Sequence, residues 1–195
     1  MIKESTSEKN IIYTFKLVII GTGGVGKTCL FNRFCFNSFN FDTSMTIGVN
    51  FHAMNMRLYD LENSDNNIEK YVANSIFDFG GQQRFQTLIP KFLGGANGAL
   101  FVFDMTNFGT LEALDFWYEL LIKHANGHNI PKILVGSKND LLEREIDEDL
   151  IDQFIGDRGM YEFIPTSALE NYNVLDVFKA ITNLMIEAQN LPFAV

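Results

Sequence analysis

An α/β fold is predicted for this chain: a three-layer sandwich around a mostly parallel six-stranded sheet, with one antiparallel edge strand and about five helices. Three observations predict it. Short, continuous apolar runs alternate with helical stretches, the pattern of strands covered on both faces by helices. A glycine-rich segment, Gly21-Thr22-Gly23-Gly24-Val25-Gly26-Lys27-Thr28, stands between the first apolar run and the first helical stretch. The 195 residues are 47% hydrophobic with a mean hydropathy of +0.03, enough for one sizeable core.

The elements follow in order. Residues 1–13 are polar and mixed in charge and read as a flexible arm; residues 14–190 read as one domain, and 191–195 as a tail. Phe15-Lys16-Leu17-Val18-Ile19-Ile20 is a β-branched run closed by glycine, a buried strand. A helix follows the glycine-rich segment to about Phe36. Strand patterns over Gly48–Leu58 and Tyr71–Phe79 flank Glu62-Asn63-Ser64-Asp65-Asn66-Asn67, so they should form a hairpin with a long tip. Ala99–Phe103, Ile133–Gly136 and an apolar run before Pro165 supply the remaining strands. In the last helix, Val174, Val177, Phe178, Ile181, Leu184 and Met185 recur at spacings of three and four, a core-facing stripe.

Charge and cysteine usage narrow the function classes. Fifteen basic against 24 acidic residues give a net charge of -9, which opposes contact with nucleic acid or an anionic membrane. A backbone-lined phosphate site is compatible with that charge. Cys29 and Cys35, six apart in one predicted helix, read as buried, reduced thiols. No apolar run reaches the ~18 residues of a membrane span. The start lacks a signal-peptide pattern and a glycine at position 2, and Asn190–Val195 holds no cysteine for prenylation. A cytoplasmic monomer without a stable lipid anchor is therefore expected, meeting membranes only transiently through a partner. His52, His124 and His128 have no metal-ligand spacing, Trp117 reads as partly buried packing, and the seven methionines as gap fillers.

The glycine-rich segment matches G-x-x-x-x-G-K-[ST]. Its glycines let successive N–H groups point inward around phosphate oxygens, and the helix behind presents its positive end. Lys27 adds a full charge at the β- and γ-phosphates, and the Thr28 hydroxyl is set for Mg²⁺. Val135-Gly136-Ser137-Lys138-Asn139-Asp140 closes a strand and resembles an Asn-Lys-x-Asp guanine motif with Ser137 in the Asn position. A carboxylate at Asp140 can accept from guanine N1–H and its exocyclic amine, a donor pair adenine lacks. Lys138 would lie along the base with its aliphatic stem. Pro165-Thr166-Ser167-Ala168 can offer a backbone N–H to guanine O6. Ile76-Phe77-Asp78-Phe79-Gly80-Gly81-Gln82 brings an acid to a strand end, a glycine N–H for the γ-phosphate and a glutamine to orient water.

Together these motifs resemble the Ras superfamily of small GTPases, most closely its Rab branch, over about Phe15–Gln189. Thr46-Ile47-Gly48-Val49-Asn50-Phe51 resembles a Rab switch I segment, and Arg84-Phe85-Gln86-Thr87-Leu88 with Gly95-Ala96-Asn97-Gly98 resembles switch II surroundings. The resemblance implies a P-loop NTPase that binds GTP or GDP with Mg²⁺ and hydrolyses GTP slowly. Gly23, Gly24, Val25, Gly26, Lys27, Thr28, Cys29 and Gly81 would contact phosphate. Thr28, Thr46 and, through water, Asp78 would hold Mg²⁺. Phe39, Ser137, Lys138, Asp140, Ser167, Ala168 and Leu169 would surround guanine, and Phe51, Phe77 and Phe92 would form an effector-reading aromatic triad. Gln82, Lys27 and Thr46 carry the chemistry. Effector, exchange-factor and GTPase-activating proteins are the implied partners.

The chain departs from the Rab pattern at four points. Asp78-Phe79-Gly80-Gly81-Gln82 is nearer an Arf-like Asp-x-Gly-Gly start, Ser137 replaces Asn, Leu169 replaces Lys, and the end lacks prenylatable cysteines. A guanine-nucleotide-binding interaction module with negligible hydrolysis is the alternative reading. A P-loop kinase or ATPase would leave Lys138 and Asp140 without a role.

Overall fold

The computed structural model describes residues 9–40, 46, 48–61, 68–80, 89–125, 127, 129–143 and 146–195. The strands are β1 (Ile11–Ile20), β2 (Val49–Asp60), β3 (Lys70–Phe79), β4 (Gly98–Asp104), β5 (Lys132–Ser137), β6 (Phe163–Pro165) and β7 (Phe193–Ala194). The described helices are α1 (Lys27–Phe36), α2 (Ile89–Leu93), α3 (Gly109–Glu112), α4 (Leu114–Ala125), α5 (Glu148–Arg158) and α6 (Val174–Ala188). The short α3 runs almost directly into α4, so the long helices follow the expected pattern.

The sheet order is β6-β5-β4-β1-β3-β2-β7. Strand β1 pairs in parallel with β3 and β4, β4 with β5, and β5 with β6, whereas β2 runs antiparallel to β3. The chain turns to one side of β1 for β2 and β3 and to the other for β4, making β1 the topological switch point. Ligands of such sheets bind beyond the carboxyl ends of the strands at that point.

The continuous apolar runs divide by alternation between two cores. Leu17, Ile19, Leu100, Val102, Ile133 and Val135 face Leu30 and Phe31 of α1 and Val177, Phe178 and Ile181 of α6. Val18, Ile20, Phe101, Phe103 and Leu134 face Leu114, Trp117 and Leu121 of α4 and Ile151 and Phe154 of α5. Residue i enters one core and i+1 the other, which is why these runs are apolar at successive positions rather than alternating.

Several expectations are refined. Strand β1 begins at Ile11, inside the expected arm, because Ile12 and Tyr13 pack against the first core. The expected tail is folded: β7 pairs antiparallel with Tyr59 and Asp60 of β2, making a seventh strand. Phe193 drives that docking, buried against the Tyr13 ring at 6.1 Å and under the Lys70 ammonium at 4.8 Å. Trp117 is fully buried rather than partly so. Cys29 and Cys35 are not joined in a disulfide, as expected, but are only half-buried, and desolvation pushes the Cys35 thiol up to about 12. The tip of the β2–β3 hairpin, His128 and the Arg84–Leu88 segment lie outside the described residues. Among the described residues no helix is long and apolar enough to cross a membrane.

Candidate functional site

The glycine-rich loop, Asp78, Ser137–Asp140 and Pro165–Ala168 lie at the carboxyl edge of the sheet, whereas Gly95–Gly98 leads into the amino end of β4. The glycine-rich loop leaves β1 and enters α1. Gly21 adopts φ +146°, and a Cβ there would stand 2.2 Å from the Val102 carbonyl oxygen of β4. Gly26, the residue before α1, takes φ +95°, a left-handed conformation that glycine reaches without strain. Among the described residues nothing accepts the backbone N–H groups of Gly24, Val25, Gly26 and Lys27. Successive amides of this kind at a helix N-terminus suit an anion.

Lys27 is 5% exposed and donates to the carbonyls of Gly21 at 2.8 Å and Thr22 at 2.6 Å. Burial lowers its ammonium to about 8, opposed by the charge of Asp78. A phosphate beside it would favour the charged form.

Behind Lys27, three segments meet. The Thr28 hydroxyl donates to Asp78 Oδ2 at 2.7 Å and lies 2.6 Å from the Thr46 hydroxyl. Asn50 Nδ2 donates to the same carboxylate oxygen at 3.1 Å. Burial raises the Asp78 carboxyl above its usual range, countered by the Thr28 hydrogen bond, the Lys27 charge and the Asn50 hydrogen bond. Its other oxygen, Oδ1, is buried with no hydrogen-bond partner among the described residues. An orphaned carboxylate oxygen beside two hydroxyls suits a hard cation that takes oxygen ligands, so the residues fit Mg²⁺.

The second half of the edge is built by β5 and β6. The Ser137 hydroxyl donates to the Val25 carbonyl of the phosphate loop and also lies 2.8 Å from the Phe103 carbonyl. Lys138, at φ +61°, turns the chain and pairs with Asp104 Oδ2 at 2.5 Å. Burial raises the Asp104 carboxyl, but bonds from Lys138 and Thr106 outweigh it and hold it below the usual range. Asp140 Oδ1 accepts from the Ser167 hydroxyl at 2.6 Å. Asn139 N–H donates to the Thr166 carbonyl at 3.0 Å, joining the two loops. Ala168 is half-buried and Leu169 exposed just beyond.

The structure therefore brings together Lys27, Thr28, Thr46 and Asp78, and separately Ser137, Lys138, Asp140 and Ser167. Phe39 is half-buried, three residues beyond the end of α1. Gly81 and Gln82 lie outside the described residues. Of the aromatic triad, Phe51 and Phe77 meet with centroids 5.0 Å apart, while Phe92 on α2 stands 6.4 Å from Phe79. Phe51 is 57% exposed and Phe92 37%.

Sequence reasoning missed Asn50 and Asp104. Asn50 is cross-strand from Asp78, a pairing that becomes visible only with the hairpin register. Asp104 is an acid at the end of an apolar strand, the same signal that singles out Asp78.

Comparison with known proteins agrees with this geometry. A family model described as Ras family matches residues 16–187. The chain is 38% identical over 176 residues to Ras-related protein RABA6a of Arabidopsis thaliana, covering 90% of this chain and 71% of that one. It is 37% identical over 177 residues to Ras-related protein Rab11B of Nicotiana tabacum, covering 90% and 76%. Against GTP-binding protein YPT1 of Saccharomyces cerevisiae it is 32% identical over 178 residues, covering 91% and 82%.

Proposed function

From its membership of the Ras family, to which this chain belongs as a Rab-like small GTPase, we propose that it is a molecular switch that binds GTP and GDP with Mg²⁺ and hydrolyses GTP slowly. The observation that carries the reading is the convergence of Thr28, Thr46 and Asp78, with the orphaned Asp78 oxygen, directly behind Lys27.

In this reading the amides from Gly23 to Cys29 and the Lys27 ammonium hold the terminal phosphates. Mg²⁺, held by Thr28, Thr46 and through water by Asp78, would neutralise charge developing across those phosphates. Asn50 and Thr28 keep the Asp78 carboxylate oriented towards that position. Asp140 reads the guanine N1–H and amine, Ser167 fixes the Asp140 rotamer, and the Ala168 N–H meets O6. Ser137 braces the base-binding strand end, Leu169 closes the loop and Phe39 packs against the base edge. Lys138 is held over the base by Asp104.

Gln82 orients the attacking water, and the Gly81 N–H contacts the γ-phosphate. No arginine occurs between Gly21 and Thr28 to supply a positive finger, so turnover is slow until an activating protein contributes one. Loss of the γ-phosphate releases Thr46 and Gly81 and loosens their two segments. Phe51, Phe77 and Phe92 form the surface that effectors read, and an exchange factor resets the switch.

The identity of the nucleotide released when the purified protein is heat-denatured tests this reading. Guanine nucleotide supports it. Adenine nucleotide would remove Asp140 and Lys138 from base recognition.

A further inference from the structure

Helix α1 carries, besides the phosphate loop at its start, a second polar connection to the same edge of the sheet. Arg33 Nε donates to the Ala168 carbonyl at 2.7 Å, and one terminal nitrogen donates to the Leu169 carbonyl at 3.1 Å. The other terminal nitrogen holds the Asn37 carbonyl at 3.3 Å and the Asn37 side-chain oxygen at 3.2 Å, where α1 ends in a left-handed residue. The guanidinium thus uses its planar fork on two successive carbonyls of a loop 135 residues away in sequence.

That loop is fixed on its other side as well. Ser167 exchanges backbone hydrogen bonds with Tyr172 at 3.1 and 2.9 Å, and its hydroxyl reaches Asp140. Asn173 Nδ2 closes the loop on the Pro165 carbonyl at 2.9 Å. The peptide that carries the Ala168 N–H is therefore clamped before it by Ser167 and after it by Arg33. Among the described residues nothing accepts that N–H. Leu169 is 38% exposed and brings no ionic group of its own to hold the loop.

We propose that Arg33 is a positioning residue for base recognition: it locks the Ala168 N–H in place and ties it, through α1, to the phosphate loop. The proposal rests on the guanine reading above. The side-chain hydrogen bonds of Arg33 go to Ala168, Leu169 and Asn37, so in this assignment it acts through the loop. A methionine keeps the aliphatic stem but supplies no donor, so the Ala168–Leu169 segment would be held from one side only.

The test compares GDP with 6-thio-GDP, which keeps the N1–H and amine read by Asp140 but offers a poorly accepting sulfur in place of O6. Measurements are made below neutral pH, where the thio base retains its N1 proton. The wild-type protein should prefer GDP. Arg33→Met should release GDP about two- to tenfold faster, the range for one lost hydrogen bond, and should bring the GDP to 6-thio-GDP affinity ratio towards unity. Arg33→Gln, too short to span both carbonyls, should change the ratio in the same direction and serves if the methionine variant does not fold. Weakened binding of both nucleotides in parallel, with the wild-type ratio intact, overturns the assignment, because a merely structural arginine would act that way. Wild-type protein that binds neither nucleotide overturns the guanine reading itself, and this assignment with it.

Discussion

The hydroxyl of Ser137 donates to the backbone carbonyl of Val25, fastening the end of β5 to the phosphate loop. Ser137 is buried beside Gly26, where a Cβ would stand 3.6 Å from its hydroxyl. The Phe103 carbonyl lies within reach of the same single hydroxyl proton, so the serine can satisfy only one of the two carbonyls at a time.

Ser137→Ala removes that fastening without adding bulk. A lost neutral hydrogen bond is worth about 0.5–1.5 kcal/mol, about a two- to tenfold change in an equilibrium constant. GDP release should quicken by that factor, followed with a fluorescent GDP analogue at fixed Mg²⁺, while the hydrolysis step stays nearly unchanged. Ser137→Asn, which brings a longer amide with more donors, should instead slow release by a similar factor.

Asp140→Asn should weaken GTP binding by about a hundredfold or more, since two hydrogen bonds to a charged acceptor are lost. Xanthosine triphosphate binding should improve. The Ser167 hydroxyl, now 2.6 Å from Asp140 Oδ1, would hold the amide oxygen and turn the NH₂ group towards the xanthine carbonyl. Competition binding decides between the two nucleotides, and an undiminished preference for GTP would refute the base assignment.

Thr182→Val tests the buried connection between β3 and α6. Asn74 Nδ2 donates to the Thr182 hydroxyl at 2.8 Å, and both residues are fully buried. Valine keeps the shape but leaves the amide only the weak Met56 sulfur at 3.4 Å. Unfolding free energy from urea titration should fall by about 1–3 kcal/mol, the cost of an unsatisfied buried donor. Unchanged stability would mean that the core repairs the lost bond.

Gln82→Leu should leave GTP binding near normal and slow its hydrolysis by about tenfold or more, as removal of one water-orienting group does in positioned acid–base chemistry. The variant removes only the amide that follows Asp78-Phe79-Gly80-Gly81. Equal single-turnover rates in variant and wild type would take Gln82 out of the mechanism.

The parts of the fold legible in the sequence are those set by local pattern. Leu17 to Ile20 could only be a strand covered on both faces, and Gly21 to Thr28 carries its own turn and helix start. Asp78 was legible because the acid at the end of its apolar run leads into Gly80-Gly81-Gln82, a context that Asp104 lacks. What was not legible depends on contacts distant in sequence. Phe193 looks like one residue of a short tail until the β2 edge and the Tyr13 ring are known. Arg33 reads as an ordinary polar position of α1, and only the folded chain brings it to Ala168. Asn50 needed the hairpin register, which the sequence leaves unspecified across Glu62–Asn67.

The most direct test of the switch reading is a single-turnover assay in which purified protein, loaded with GTP, receives Mg²⁺ and its bound nucleotide is followed over time. Slow, first-order conversion of bound GTP to GDP and phosphate is the predicted result. Bound GTP that persists unchanged, with or without added Mg²⁺, would contradict it and leave a guanine-nucleotide-binding module without turnover.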